Sequence, residues 1–246
     1  MSASPIPAAT VVIMRESANT LPELLMVERA AAMRFAGGAM VFPGGRVDPG
    51  DRALAALHPG DIDDNSGRIA AIRETIEEAG IAVGLRRTID IAAIRAALAA
   101  GAALGDLIAP ADLDLERLVP FARWLPHIGV SHRIFDTRFY LARLPDGAPS
   151  AVADGGESVR LLWTSASDAI ADAKAGRSHV IFPTRRNLDR LARFASYDAA
   201  VADANAFPTD TITPWIEERD GEPHLCIPEG RGYPVTSQPV REALRG

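Results

Sequence analysis

Short apolar runs recur early in the chain, at residues 9–14, 23–29 and 39–42, each separated from the next by polar or glycine-bearing stretches. Bounded runs of this length, carrying valine or phenylalanine, predict successive strands of a sheet. A turn-rich segment with Pro49, Gly50, Pro59 and Gly60 follows. It gives way near Ser66, a residue suited to an N-cap, to a helical pattern that Gly80 should stop. The alanine-rich stretch 90–118 predicts helix and lies between that helix and strand candidates at 121–125 and 134–144, so it is expected as an inserted lid or flank. Residues 158–163 predict another strand, and 166–175, 185–195 and 197–206 predict helices. The tail after Phe207 holds several prolines and is expected to be irregular.

No repeat, low-complexity tract or linker divides the 246 residues, so the expectation is one elaborated domain with insertions near 51–65 and 90–118 and an extension after 207. The longest apolar stretch, around 91–104, is broken by Arg95 and falls short of the roughly 18 residues of a membrane span. The first 17 residues lack a basic region before their apolar run and read as a strand rather than a secretory signal. One cysteine, Cys226, forms no internal disulfide, and a reducing cytoplasm fits.

With 32 acidic against 26 basic residues, the net charge of −6 offers no field that would gather a polyanion without sequence preference. Nucleic acid is therefore not the expected partner. A small phosphorylated ligand needs only a few local cations or bound metal, so the chemistry must lie in local constellations.

The strongest of these is residues 66–80, SGRIAAIRETIEEAG. At roughly 100° per residue, Ile69, Ile72, Ile76 and Ala79 share one stripe, while Glu74, Glu77 and Glu78 cluster almost opposite. Ionised glutamates spaced i, i+3 and i+4 repel by a few tenths of a kcal/mol per pair, roughly, and a hard divalent cation such as Mg²⁺ or Mn²⁺ would offset that repulsion. A solvated face with Arg73 paired to Glu77 is the plain alternative. The preceding Phe42-Pro43-Gly44-Gly45 adds a turn whose glycines let backbone approach a ligand and whose carbonyls can complete a metal shell.

FPGG at 42–45 followed by RETIEEAGI at 73–81 resembles the signature of the Nudix hydrolases, G-x5-E-x7-R-E-U-x-E-E-x-G-U, matching at Arg73, Glu74, Glu77, Glu78, Gly80 and Ile81. The resemblance implies an α/β/α sandwich around a mixed sheet, Mg²⁺ or Mn²⁺ held by Glu74, Glu77 and Glu78, and water attack on a nucleoside-diphosphate-linked small molecule. It makes Glu77 the candidate base and implies a further carboxylate from a distant loop, for which Glu157 is the candidate and Asp154 its competitor. The sequence departs from the signature in three ways. Gly45 and Arg73 stand 28 positions apart where the family has 14. Asp51 and Asn65 compete for the place of the isolated glutamate, one counted from each side, and Thr75 replaces an aliphatic residue.

Residues 25–45 also resemble the extension L-L-T-x-R-[SA]-x3-R-x3-G-x3-F-P-G-G of the coenzyme A diphosphatase branch, matching at Leu25, Arg29, Ala30, Arg34, Gly38 and 42–45. The resemblance implies coenzyme A or an acyl derivative as substrate. Arg29, Arg34, Gly44 and Gly45 would then bind it, the arginines through multi-donor contacts to phosphate unless they pair with acids such as Glu28. Weaker likenesses at 133–144 and 181–194 extend this to an acyl-coenzyme A subgroup. His132 and Arg133 are expected to be structural, and Trp124, Trp163 and Trp215 to pack. Another diphosphate, such as a nucleotide sugar or dinucleotide, is the alternative substrate. A non-catalytic sensor of the same fold is the alternative function, although a binding module need not keep all three carboxylates.

Overall fold

The computed structural model describes residues 4–18, 20–32, 36–126 and 134–243. Its centre is β1 (Ile6–Arg15). One edge of β1 pairs in parallel with β6 (Phe135–Arg143), from Ile6 with Phe135 to Met14 with Arg143. The other edge is shared. At its start β1 pairs with β4 (Gly44–Arg46), and at its end with β2 (Glu23–Arg29). β2 also carries β3 (Met40–Val41) and β7 (Ser158–Ser165), while β5 (Val119–Trp124) flanks β6 and pairs with β8 (Thr211–Ile212). Among the described residues this makes an eight-stranded mixed sheet.

Alternation along β1 explains the layers. Val11 and Ile13 join a buried cluster with Ile69, Ile72 and Ile76, whereas Val12 and Met14 join another with Phe182, Leu188 and Ala200. Successive side chains of a strand point to opposite faces, so a strand apolar at nearly every position is covered on both. The first face is covered by α2 (Ile62–Ala79), with α1 (Pro49–Ala55), α3 (Ile91–Ala99) and α4 (Leu104–Leu107) around it. The second is covered by α5 (Ala166–Lys174), α6 (Phe182–Leu191) and α7 (Tyr197–Ala206). The expected α/β/α architecture is the one observed.

Two expectations need correction. The acidic helix starts at Ile62, not Ser66. Asp61 caps it by accepting from Asp64 N at 2.7 Å, and Ser66 lies inside, where its Oγ donates to Ile62 O at 2.5 Å. The inserted loop therefore builds α1 and the first turn of α2. The tail after Phe207 is not irregular: β9 (Trp215–Arg219), β10 (Glu222–Cys226) and β11 (Ser237–Pro239) form a second, antiparallel sheet. Its first hairpin turns on Asp220 and Gly221, whose φ values of 52° and 80° are the positive pair that a tight Asp-Gly turn needs. That dipeptide was the signal in the sequence, and the nearby prolines obscured it.

Trp124 is buried as expected and sits edge-on to Phe182 and Tyr233, while Trp163 is partly buried under Arg15. Trp215 differs: it stands 40% exposed on β9. Among the described residues no helix is long and apolar enough to cross a membrane.

Candidate functional site

The site is built where β4 lies between β1 and α2. Gly44 and Gly45 pair with Thr10 and Ala9, and Val11 N donates to Pro43 O at 3.0 Å, so the glycine turn is fastened to the central strand. Close approach of backbone requires the glycine at 44, while at 45 any side chain would have to push another aside. A Cβ at Gly44 would overlap the Ala9 carbonyl, and one at Gly45 would overlap the Glu74 carboxylate. From the helix side, Glu78 Oε2 accepts the Gly44 N–H at 3.0 Å. The turn and the helix are thus in direct contact through two of the three box glutamates.

Arg73 organises the other side. Its guanidinium donates to Asp51 (Nε–Oδ1 3.0 Å, Nη2–Oδ2 2.9 Å), to Glu74 Oε1 at 2.9 Å, to Glu77 Oε2 at 2.7 Å and to the Arg46 carbonyl at 2.8 Å. Asp51 Oδ2 also accepts from Asp48 N at 2.9 Å. Of the two residues competing for the isolated acidic place, Asp51 meets Arg73, whereas Asn65 turns to Pro59 O at 3.0 Å and closes its own loop. The Arg73–Glu77 pair expected for a plain solvated face is present, but Arg73 itself is buried, so the face is not merely solvated.

Electrostatics marks the same residues. Burial pushes Glu74 up to about 7 against the pull of Arg73, with the Glu77 charge adding to the rise. Burial and the Glu74 charge push Glu78 up to about 8, opposed by the Gly44 N–H and by Arg29. Glu77 is raised as well, first by burial. For Arg73, burial works against the charge, but the Asp51 hydrogen bond and the acidic neighbours outweigh it and raise its pKa. Carboxylates that are buried together and short of positive charge would be stabilised as anions by a cation.

The side-chain oxygens of Glu74, Glu77 and Glu78 are hard donors, of the chemistry that suits Mg²⁺ or Mn²⁺ better than a softer ion. Among the described residues, as they are placed, no group of three or more acidic, histidine or cysteine side chains is gathered closely enough to hold a metal ion. Glu77 leans on Arg73 and Glu78 on Gly44, so a cation would draw these side chains from their present partners.

Arg29 ends β2 at a bulge next to Glu28, and its charge is felt at Glu78. Glu28 does not take it, since Glu28 faces Arg160 at 3.6 Å, and Arg29 Nε is buried with no hydrogen-bond partner among the described residues. Arg34, His132 and Arg133 lie outside the described residues. The loop before β7 divides its two acids. Asp154 accepts from the backbone N–H of Gly156, Glu157 and Ser158, which fixes the turn. Glu157 is exposed, and its carbonyl accepts from Ala30 N at 2.8 Å, which ties the loop to the end of β2. No hydrogen bond joins the Glu157 carboxylate to α2 among the described residues, and Asp154 is the acid whose charge reaches Glu78.

Sequence reading missed Arg95, which donates to the carbonyls of Glu77 at 3.0 Å and Glu78 at 3.3 Å. Its only sequence signal was a lone arginine in an alanine-rich stretch. Clefts lined by Phe182, Arg185 and Gln238, and by Asp64, Arg123 and Arg138, involve none of the box carboxylates.

No family model matches the chain. The chain is 29% identical to a Nudix hydrolase from Alicyclobacillus acidocaldarius of known crystal structure, with a TM-score of 0.73 over 82% of this chain and 97% of that one. It is also 26% identical over 197 residues to the Caenorhabditis elegans protein named nudix hydrolase 7; the match takes in 78% of this chain and spans 62% of that relative's length. A shared architecture, a box helix seated on its glycine turn, and two similarities that both fall on Nudix proteins agree: the chain is similar to the Nudix hydrolases in fold and in its box helix.

Proposed function

We propose that the protein hydrolyses a phosphoanhydride bond in coenzyme A or an acyl-coenzyme A, releasing a phosphopantetheine product and the adenosine bisphosphate half. The observation that carries the hydrolytic reading is the contact between turn and helix: Glu78 accepts from Gly44 N while Gly45 lies bare against the Glu74 carboxylate. This puts the backbone of the glycine turn and two of the carboxylates side by side on one small surface.

Glu74, Glu77 and Glu78 would hold Mg²⁺ or Mn²⁺, and the ion when bound neutralises phosphate charge and lowers the pKa of water. Glu77 is the proposed base: it is the least buried of the three and can exchange Arg73 for a proton from water. Glu157 is the proposed further carboxylate, exposed and not committed to its own turn as Asp154 is. Arg73 and Asp51 keep the helix carboxylates oriented.

Coenzyme A as substrate rests on Arg29 and Arg34 and on the spacing of residues 25–45. The unpartnered Arg29 Nε supports it, because a buried donor without an acceptor costs about 1–3 kcal/mol unless something meets it. The experiment is a screen of coenzyme A, acyl-coenzyme A, nucleotide sugars and dinucleotides with Mg²⁺ or Mn²⁺, products identified by mass. Adenosine 3′,5′-bisphosphate from coenzyme A is the expected product. Turnover of a nucleotide sugar alone would overturn the substrate and keep the hydrolase, while binding without turnover of any of them would leave a sensor.

A further inference from the structure

The carbonyl oxygens from Ile76 to Ala79 close the last turn of α2, where a helix runs out of donors of its own. Thr75 O accepts from Ile81 N at 3.4 Å, Ile76 O from Gly80 N at 3.0 Å and Ala79 O from Val152 N at 2.9 Å. The two between them, Glu77 O and Glu78 O, are both taken by Arg95 of α3, through Nε at 3.0 Å and Nη2 at 3.3 Å. Gly80, at φ 65°, turns the chain away and leaves room for that guanidinium, since a Cβ there would stand 3.2 Å from Arg95 Nη1.

We propose that Arg95 is a positioning residue for the carboxylate helix, and that the insertion bearing it serves to fix the peptide groups of Glu77 and Glu78. A planar fork that bridges two adjacent carbonyls sets them relative to each other, and with them the points from which both side chains leave the backbone. Its charge also counters the negative end of the helix, which has no basic residue of its own in that turn and carries three glutamates nearby. This inference rests on reading those glutamates as the metal-holding set.

The test is Mn²⁺ binding by the full chain, followed by electron paramagnetic resonance, in wild type, R95A, R95K, R87A and E78Q, with thermal unfolding of each. Arg87 is the control, because it pairs with Asp112 at 2.6 Å at the same insertion and does not touch α2. R95A should weaken Mn²⁺ binding about tenfold or more, the range for removing a partner that orients metal ligands. R95K keeps the charge but cannot bridge both carbonyls, so it should stay folded and recover only part of the affinity, while R87A matches wild type. Full affinity in a folded R95K or R95A, or an equal loss in R87A, would overturn the assignment. Failure of wild type to bind Mn²⁺ would overturn the metal reading and this inference with it, and is recognised by E78Q and wild type behaving alike.

Discussion

The Arg73 guanidinium meets the Asp51 carboxylate across 22 positions of chain, Nε to Oδ1 at 3.0 Å and Nη2 to Oδ2 at 2.9 Å, with Asp51 only 1% exposed. Removing the carboxylate leaves a buried guanidinium with Glu74, Glu77 and, at 3.9 Å, Asp48 as its remaining ion partners. D51A should therefore lower stability by about 3–5 kcal/mol, the cost of breaking a buried pair from one side. Urea unfolding of D51A checks it, and a loss under about 1 kcal/mol would show that Asp51 is dispensable to Arg73.

Replacing Glu77 or Glu78 with glutamine removes charge without changing shape. Both variants should fold with near-native unfolding midpoints while turnover falls by about 100-fold or more, and chelation of divalent ions should abolish wild-type turnover. Wild-type rates in both variants, or turnover that survives exhaustive chelation, would remove the metal-site assignment.

Gly45 faces Glu74 with no space for a methyl group. G45A should displace that carboxylate, weakening Mn²⁺ binding and turnover together, with stability falling by about 1–3 kcal/mol from overpacking. Calorimetric titration with Mn²⁺ gives the answer, and unchanged affinity would mean that Glu74 is not a ligand.

The raised carboxylates make a pH prediction for the metal-free protein. Unfolded glutamate titrates near its ordinary 4.5, whereas folded Glu74 and Glu78 stand at about 7 and about 8. Between those values the folded chain holds protons that the unfolded chain has released, so these groups favour folding fully below the lower value and lose that contribution as pH rises toward the upper one. Urea midpoints with chelator should fall from about pH 5 to about pH 8. Added Mg²⁺ should reverse the trend, because it binds the ionised form. A chelated midpoint that climbs over this window would contradict the burial argument.

For the proposed substrate, R29A and R34A should each cost about 1.5–3 kcal/mol in kcat/KM for coenzyme A. If one arginine meets the ribose phosphate, dephospho-coenzyme A should be the poorer wild-type substrate and lose less on that mutation. Equal losses on both would move the arginine to the diphosphate, and no loss on either would make it structural.

Much of this was legible because periodicity and burial agree: β2 and α7 fall on the residues that their apolar patterns mark. The box helix was legible from its glutamates, but its start was not, because Ser66 caps as readily in sequence as Asp61 does in fact. Thr75 looked like a departure from an aliphatic position. It is fully buried, with its hydroxyl satisfied by Ala71 O at 2.5 Å, so helix geometry supplies what chemistry seemed to lack. The choice between Asp51 and Asn65 could not be made by counting, since an insertion breaks the count from one side. Only the path of the loop shows that Asp51, and not Asn65, comes to Arg73. Arg95 was hidden for a similar reason: a contact to backbone carbonyls leaves no mark in the residue types it touches.

The parallel pairing of β1 with β6 joins residues 129 positions apart, Ile6 with Phe135 and Met14 with Arg143. On a ribosome, the strand that fastens the glycine turn is made well before its partner and stays open along that edge until β6 has emerged. Contacts of such long range must be reached through a large loss of chain entropy before they repay it, so refolding should be slow. Nascent chains truncated before Phe135 would expose the apolar edge of β1 and be the species prone to aggregate.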